Sequence, residues 1–174
     1  MQNRPPRRPP LWALSACLAG CSPAPTIGPD DVSTVLKAAV EEAAKSSKVP
    51  TDACFSARFE PPLTPLPGKS GEWTRSESGK ATYRLLPFPK VDGLPAEALA
   101  AIPRSRRAAD CHHQLVFSPP EFLEMDEGGR KSTLALVGFK DHCSICGAGY
   151  HLTLTRTGGQ WQVDPVGIGT DWIS

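Results

Sequence analysis

The sequence predicts an α+β domain, with an N-terminal amphipathic helix packed on an antiparallel sheet, loop-rich and disulfide-stabilised. Three observations predict it. Apolar residues recur with a helical period between residues 30 and 48. Five short segments separated by turn residues fill the last third of the chain. Nineteen prolines in 174 residues, about twice the usual share, populate the stretches in between.

The helix comes first. Val32, Val35, Leu36, Ala39, Val40, Ala43 and Ala44 fall at i, i+3, i+4, i+7, i+8, i+11 and i+12. That spacing puts the large apolar side chains on one face, which must pack against something flat. Asp30 or Asp31 supplies an N-cap, Lys45 and Lys48 complement the negative end of the dipole, and Pro50 stops the helix. Residues 53–59 then alternate, with Phe55, Ala57 and Phe59 on one side of a half-buried strand. Residues 61–71 are a Pro/Gly loop, and residues 72–76 and 81–86 pair around Ser78-Gly79. Residues 94–109 open with Pro95 at a first-turn position and form a second helix, broken or kinked at Pro103.

Residues 114–118, 122–125, 133–142, 150–157 and 160–164 read as five strands. The turns between them are Pro119-Pro120, Gly128-Gly129, residues 144–149 and Gly158-Gly159. Such short connections imply antiparallel neighbours, because a parallel pair needs a long crossover. Leu152, Leu154, Trp161 and Val163 supply an inward face, and the first helix is its natural cover.

The start of the chain is of a different kind. Residues 1–8 carry Arg4, Arg7 and Arg8 and no acid, and a short apolar run follows over residues 11–20. This is the pattern of a secretory signal, and the run is too short for a bilayer-spanning helix of about 20 residues. Leu18-Ala19-Gly20-Cys21 resembles the lipobox of bacterial lipoproteins. The resemblance implies cleavage before Cys21, a diacylglycerol on its sulfur and further acylation (palmitate or a similar chain) of the new amino terminus. Ser22, where inner-membrane lipoproteins of some bacteria carry Asp, implies the outer membrane, facing the periplasm. Pro9-Pro10 after Arg7-Arg8 departs from the twin-arginine export pattern. The expected organisation is therefore a signal peptide over 1–20, a lipidated cysteine with a Pro-rich tether over 21–29, and a single α+β domain over 30–174. The lipid bilayer is then a partner through acylated Cys21, with about 0.8 kcal/mol gained per buried methylene. The tether would reach roughly 25 Å at most.

A second resemblance lies at the other end. Cys143-x-x-Cys146-Gly147-x-Gly149-Tyr150, Leu152-x-Leu154, Gly159-x-Trp161-x-Val163 and Trp172-Ile173-Ser174 are similar to a group of uncharacterised secreted domains. It implies an antiparallel, β-rich C-terminal end and no particular activity. Without residues 1–20 the chain keeps all 18 acidic residues but loses three of its 19 basic ones, a net charge near −2. Such a balance gives no footprint for nucleic acid.

Cys17 leaves with the signal and Cys21 is taken by lipid, so Cys54, Cys111, Cys143 and Cys146 remain of the six cysteines. In an oxidising compartment an even number reads as disulfides, with three pairings open for four cysteines. Cys143–Cys146 within one turn plus Cys54–Cys111 is the preferred pairing. Chain entropy assigns roughly 2 kcal/mol to the short loop and roughly 4 kcal/mol to the long one. The alternative is a periplasmic metal-binding or thiol-redox protein. Cys111, His112, Cys143 and Cys146 together would make a tetrahedral zinc or copper site, although Cys111-His112 is adjacent rather than at ordinary ligand spacing. Redox chemistry at Cys143-Ser144-Ile145-Cys146 lacks the following helix that would lower a thiol pKa.

Other motifs fail. Gly68-Lys69-Ser70 has Leu63 where a P-loop needs its first glycine, and Cys146-Gly147 excludes haem attachment. Neither G-x-S-x-G nor H-E-x-x-H occurs. Glu121, Glu124, Asp126 and Glu127 read as a solvated edge, and Trp73, Trp161 and Trp172 as packing residues. The expectation is a non-enzymatic envelope lipoprotein with no cofactor, acting by binding or by supporting an assembly, with an envelope protein as a candidate partner.

Overall fold

The computed structural model describes residues 24–62, 65–107, 111–143 and 147–173. The signal segment, Cys21 and Cys146 lie outside them. Strand dominates, helices are few, and a disulfide joins Cys54 to Cys111.

Helix α1 spans Pro29–Lys45. Its N-cap is Gly28, two residues before the first aspartate expected in that role, because Pro29 suits the first turn. Asp31 instead reaches back from the third helical position, and its Oδ2 accepts the Gly28 N–H at 2.9 Å. The helix ends at Lys45, short of Lys48, whose ammonium turns away to donate to the Ile168 carbonyl. Ile27 is already buried before the helix begins.

Strand β1 is Cys54–Phe55, and β2 (Trp73–Arg75) pairs antiparallel with β3 (Thr82–Leu85) around Ser78-Gly79. Helix α2 is confined to Ala96–Ala101, and a 3₁₀ turn at Arg104–Arg106 follows Pro103, in place of one helix over 94–109. Then come β4 (His113–Phe117), β5 (Glu121–Glu127), β6 (Arg130–Cys143), β7 (Gly147–Thr157) and β8 (Gln160–Ile173). β5, β6, β7 and β8 form an antiparallel meander. Its two-residue turns place Gly128-Gly129 and Gly158-Gly159 at positive φ, as the tight hairpin turn requires.

Two expectations about the sheet are corrected. Pro119-Pro120 is not a hairpin turn. β4 and β5 do not pair with each other; both run antiparallel to β6, along the same edge of it. Ser118 N donates to Gly138 O and Glu121 faces Leu136, so the two prolines oppose Val137 alone. This is a β-bulge, a place where a strand tolerates residues with no N–H. β1 is the second correction: it lies parallel to β4, since the chain between them is long enough for a crossover.

One face of the sheet meets α1. Ala135, Val137 and Phe139 of β6 and Tyr150, Leu152 and Leu154 of β7 share a buried cluster with Val32, Val35, Leu36, Ala39, Val40 and Ala43. An aromatic rib crosses it: Phe55–Phe117 at 6.0 Å, Phe117–Phe139 at 5.1 Å and Phe139–Tyr150 at 5.1 Å between ring centroids. The polar tips of two aromatics pin the first turn of the helix and the segment just after its end. Trp161 Nε1 donates to Asp31 Oδ1 at 2.9 Å, and Tyr150 Oη donates to the Lys48 carbonyl at 2.9 Å. Aromatics with one polar atom suit such boundaries.

Trp73 and Trp172, expected in the packing, are 43% and 39% exposed. Trp73 lies under two cations, Arg84 at 5.1 Å and Lys131 at 5.7 Å from the ring centre. Both cations also pair with Glu124, which is buried and not solvated as expected. Charge there is paired before it is buried.

At the far end of α1 the buried Arg106 collects carbonyls from three segments. Nε donates to Ala53 O at 2.7 Å, Nη1 to Ala44 O at 3.2 Å and Nη2 to Pro50 O at 2.8 Å. Its guanidinium sits 4.7 Å from the Phe55 ring centre. Arg106→Met should destabilise the fold by about 2–4 kcal/mol in urea unfolding, because buried carbonyls lose a charged donor. Arg106→Lys should recover only part of this, since an ammonium cannot reproduce the planar fork. Replacing both Cys54 and Cys111 by alanine should cost roughly 4 kcal/mol in the same assay under oxidising conditions.

Candidate functional site

The cysteines gather at one end of the sheet. Cys54 opens β1, its bonding partner Cys111 precedes β4, and Cys143 closes β6 directly opposite His113. The Cα atoms of Cys54 and Cys111 are 5.9 Å apart, within the ordinary range for a bridge. Cys143 is also in a disulfide; Cys146, its expected partner, lies outside the described residues. Metal ligation needs thiolates, and the cysteines expected to act as ligands that can be followed here, Cys111 and Cys143, have their sulfurs in disulfides instead. His112 is exposed on the approach to β4.

The other histidines separate onto two faces, each against a carboxylate. His113 Nδ1 lies 2.9 Å from the buried Asp141, beside the disulfide end. His142 and His151 project from the face opposite α1. His142 Nε2 is 3.1 Å from Glu60, which also takes Lys140 at 3.4 Å. His151 Nδ1 is 2.5 Å from Asp171 Oδ1.

That opposite face carries a cleft of about 260 Å³. Its floor holds Ser118 beside Gly138 and Gly138 opposite His151; the same registered row continues to Gly169, beneath the His151 ring. The row is low because two of its members are glycines. At Gly169 a side chain would collide with the imidazole of His151, which lies over that backbone. Ser118 Oγ bonds Gly138 twice: it donates to Gly138 O and accepts from Gly138 N, each at 3.2 Å. These bonds tie the bulge to β6. Leu136 of β6 and Pro62 and Leu66 from the proline-rich loop supply apolar walls.

Polar groups enter from the two sides. Glu121, the first residue of β5, lines the cleft, and its Oε1 accepts the Leu66 N–H at 3.2 Å. Burial raises its pKa above the ordinary carboxylate value, and the Leu66 hydrogen bond partly opposes this. Asp171 enters from β8, where it is the extra residue of a bulge between the Tyr150–Thr170 and Gly149–Trp172 pairs. A carboxylate can only accept, so Asp171 takes its hydrogen bond from His151 Nδ1. Among the described residues no Lys or Arg lines the cleft.

Glu121 and Asp171 escape a reading by motif, because strand register alone puts them on one cleft. Strand alternation offers a partial signal. Phe122 faces the core, so Glu121 must face the other way, as must His151 between Tyr150 and Leu152. Comparison with family models, curated proteins and solved structures found no match to this chain.

The raised pKa of Glu121 has a testable sign. Folding favours its protonated form, so that contribution is present at low pH and lost as pH rises through the raised value. Glu121→Gln carries no charge to bury. It should melt at the same temperature as the parent near about pH 4 and at a higher temperature at about pH 7, read by thermal unfolding at both pH values.

Proposed function

We propose that this chain is a lipid-anchored lipoprotein of the bacterial envelope, held through acylated Cys21 and acting by binding rather than by catalysis. The observation that carries the binding part is the cleft on the uncovered sheet face, with apolar walls and a few convergent polar groups. Export to an oxidising compartment is supported by the Cys54–Cys111 bond and by the disulfide at Cys143. The anchor is supported by Leu18-Ala19-Gly20-Cys21, and outer-membrane placement facing the periplasm by Ser22. Among the described residues no helix is long and apolar enough to cross a membrane. We read the architecture as α+β, with α1 as the cover of one sheet face and the disulfides as staples.

Among the described residues lining the cleft, Ser118 carries the one hydroxyl, and its two bonds to Gly138 favour binding over nucleophilic chemistry. A metal-binding role would require the disulfides to be reduced first, because ligation needs thiolates.

Mass spectrometry of the mature protein should find an acylated Cys21 as its first residue, and Cys21→Ser should release the protein from the membrane fraction. An N-terminus elsewhere, or a Cys21→Ser protein that still sediments with membranes, would refute the anchor. Alkylation without reductant should find Cys54, Cys111, Cys143 and Cys146 all protected; free thiols with stoichiometric zinc or copper would favour the metal role instead.

A further inference from the structure

We propose that the domain stands end-on to the bilayer, with the hairpin end of its sheet against zwitterionic lipid headgroups and the cleft raised above them. The proposal rests on the reading of Cys21 as a lipid anchor. Three hairpins turn at the same end of the sheet. Thr82 faces Asp126 next to the β2–β3 turn, Glu127 faces Arg130 at the β5–β6 turn, and Leu134 of β6 faces Thr155 near the β7–β8 turn. The first turn of α1 is fixed to that end, because Asp31 accepts from Trp161 Nε1 and pairs with Arg156, which faces Trp161 across the hairpin. Cys54, His113, Cys143 and Ile173 lie at the opposite end.

The chain arrives at the hairpin end already held. Arg156 Nη1 donates to the Thr26 carbonyl at 3.4 Å, and Ile27 is buried. Thr26 is the fifth residue after Cys21, so even a fully extended connection spans at most about 18 Å. β6, with 14 residues, is roughly 45 Å long. A body held at one end by a tether shorter than half its length cannot bring its far end down first. The turns themselves suit a headgroup layer. Glu77 is offset by Lys80 and Glu127 by Arg130, while Thr157-Gly158-Gly159-Gln160 is uncharged, and none of the three turns carries a large apolar side chain. A polar surface without net charge meets both the ammonium and the phosphate of a zwitterionic lipid, and gains nothing extra from an anionic one. Gly138, on the cleft floor, is eight residues along β6 from Arg130, roughly 25 Å above the turns. A ligand of the cleft then comes from the aqueous side, not from the anchoring bilayer.

The test places the acylated mature protein in phosphatidylcholine bicelles doped with a lipid whose headgroup carries chelated gadolinium, and reads its backbone amides by NMR. Gly79, Gly129 and Gly158 should lose their signals, and Gly138, Phe139 and His113 should keep theirs. Cys21→Ser should restore the lost signals. Losses at Lys37 and Glu41 on α1, or at Gly138 and His151 on the open face, equal to those at the turns would mean a domain lying on its side and overturn the proposal. Losses that begin at His113 overturn it as well. No loss anywhere, with mass spectrometry finding Cys21 acylated, overturns the end-on arrangement and leaves the anchor standing; an unacylated Cys21 overturns the anchor reading itself. Replacing part of the phosphatidylcholine by phosphatidylglycerol should leave the pattern unchanged, and deeper losses at the turns on that replacement overturn the match to zwitterionic headgroups.

Discussion

The fold depends on one guanidinium. Arg106 leaves the 3₁₀ turn and spreads its donors over the last turn of α1, the loop at Pro50 and the residue before β1. Ala44 O is one of the carbonyls that a helix end leaves without an internal partner. The same side chain stacks on Phe55, the start of the aromatic rib. Helix end, loop and parallel strand are therefore positioned by one planar group, and the Cys54–Cys111 bond follows directly after Ala53. Removing the arginine would free three segments from one another at once. Charged donors contribute more than neutral ones, so this junction outweighs any single surface ion pair.

What could be read from the sequence divides by the range of the interaction. Hairpin turns at Ser78-Gly79, Gly128-Gly129 and Gly158-Gly159 are local, and each appears between the strands expected on either side. Pro119-Pro120 was misread because two prolines usually end a strand; only pairing with β6 reveals a bulge that lets the edge continue. β8 extends well beyond 160–164 for a similar reason. Four residues, from Asp164 to Gly167, loop out between the Leu154–Val163 and Leu152–Ile168 pairs, and the strand resumes. Trp73 lies in a three-residue strand with no burial pattern of its own, so its place between Arg84 and Lys131 could not be inferred. The cleft was the least legible part. Ser118, Gly138, His151 and Gly169 form a row only once the register of β4, β6, β7 and β8 is fixed, bulges included.

Irregularities in the sheet do much of the positioning. The β4–β5 bulge brings Ser118 and Glu121 to the cleft, and the bulge at Asp171 sets the carboxylate against His151. The loop-out in β8 has a different effect. β8 is a long edge strand, a hazard for pairing with other chains. Its middle is interrupted by Pro165 and by the Asp164 carboxylate accepting Val166 N–H at 2.9 Å, and Lys48 occupies the Ile168 carbonyl. The edge is thereby divided into two shorter lengths.

The entry of the chain into the fold has a mechanical consequence. Thr26 O accepts from Arg156, Ile27 is buried, and Asp31 then holds Trp161, Arg156 and its own Gly28 N–H. From there α1 lies along β7 and β8 until Tyr150 and Ile168 meet Lys48. Tension applied ahead of Ile27 along the strand direction therefore loads the bonds to Asp31 together, in shear, instead of peeling them one at a time. Resistance to such a pull is concentrated in the first helical turn and the β7–β8 hairpin, while the cleft on the other face carries little of the load.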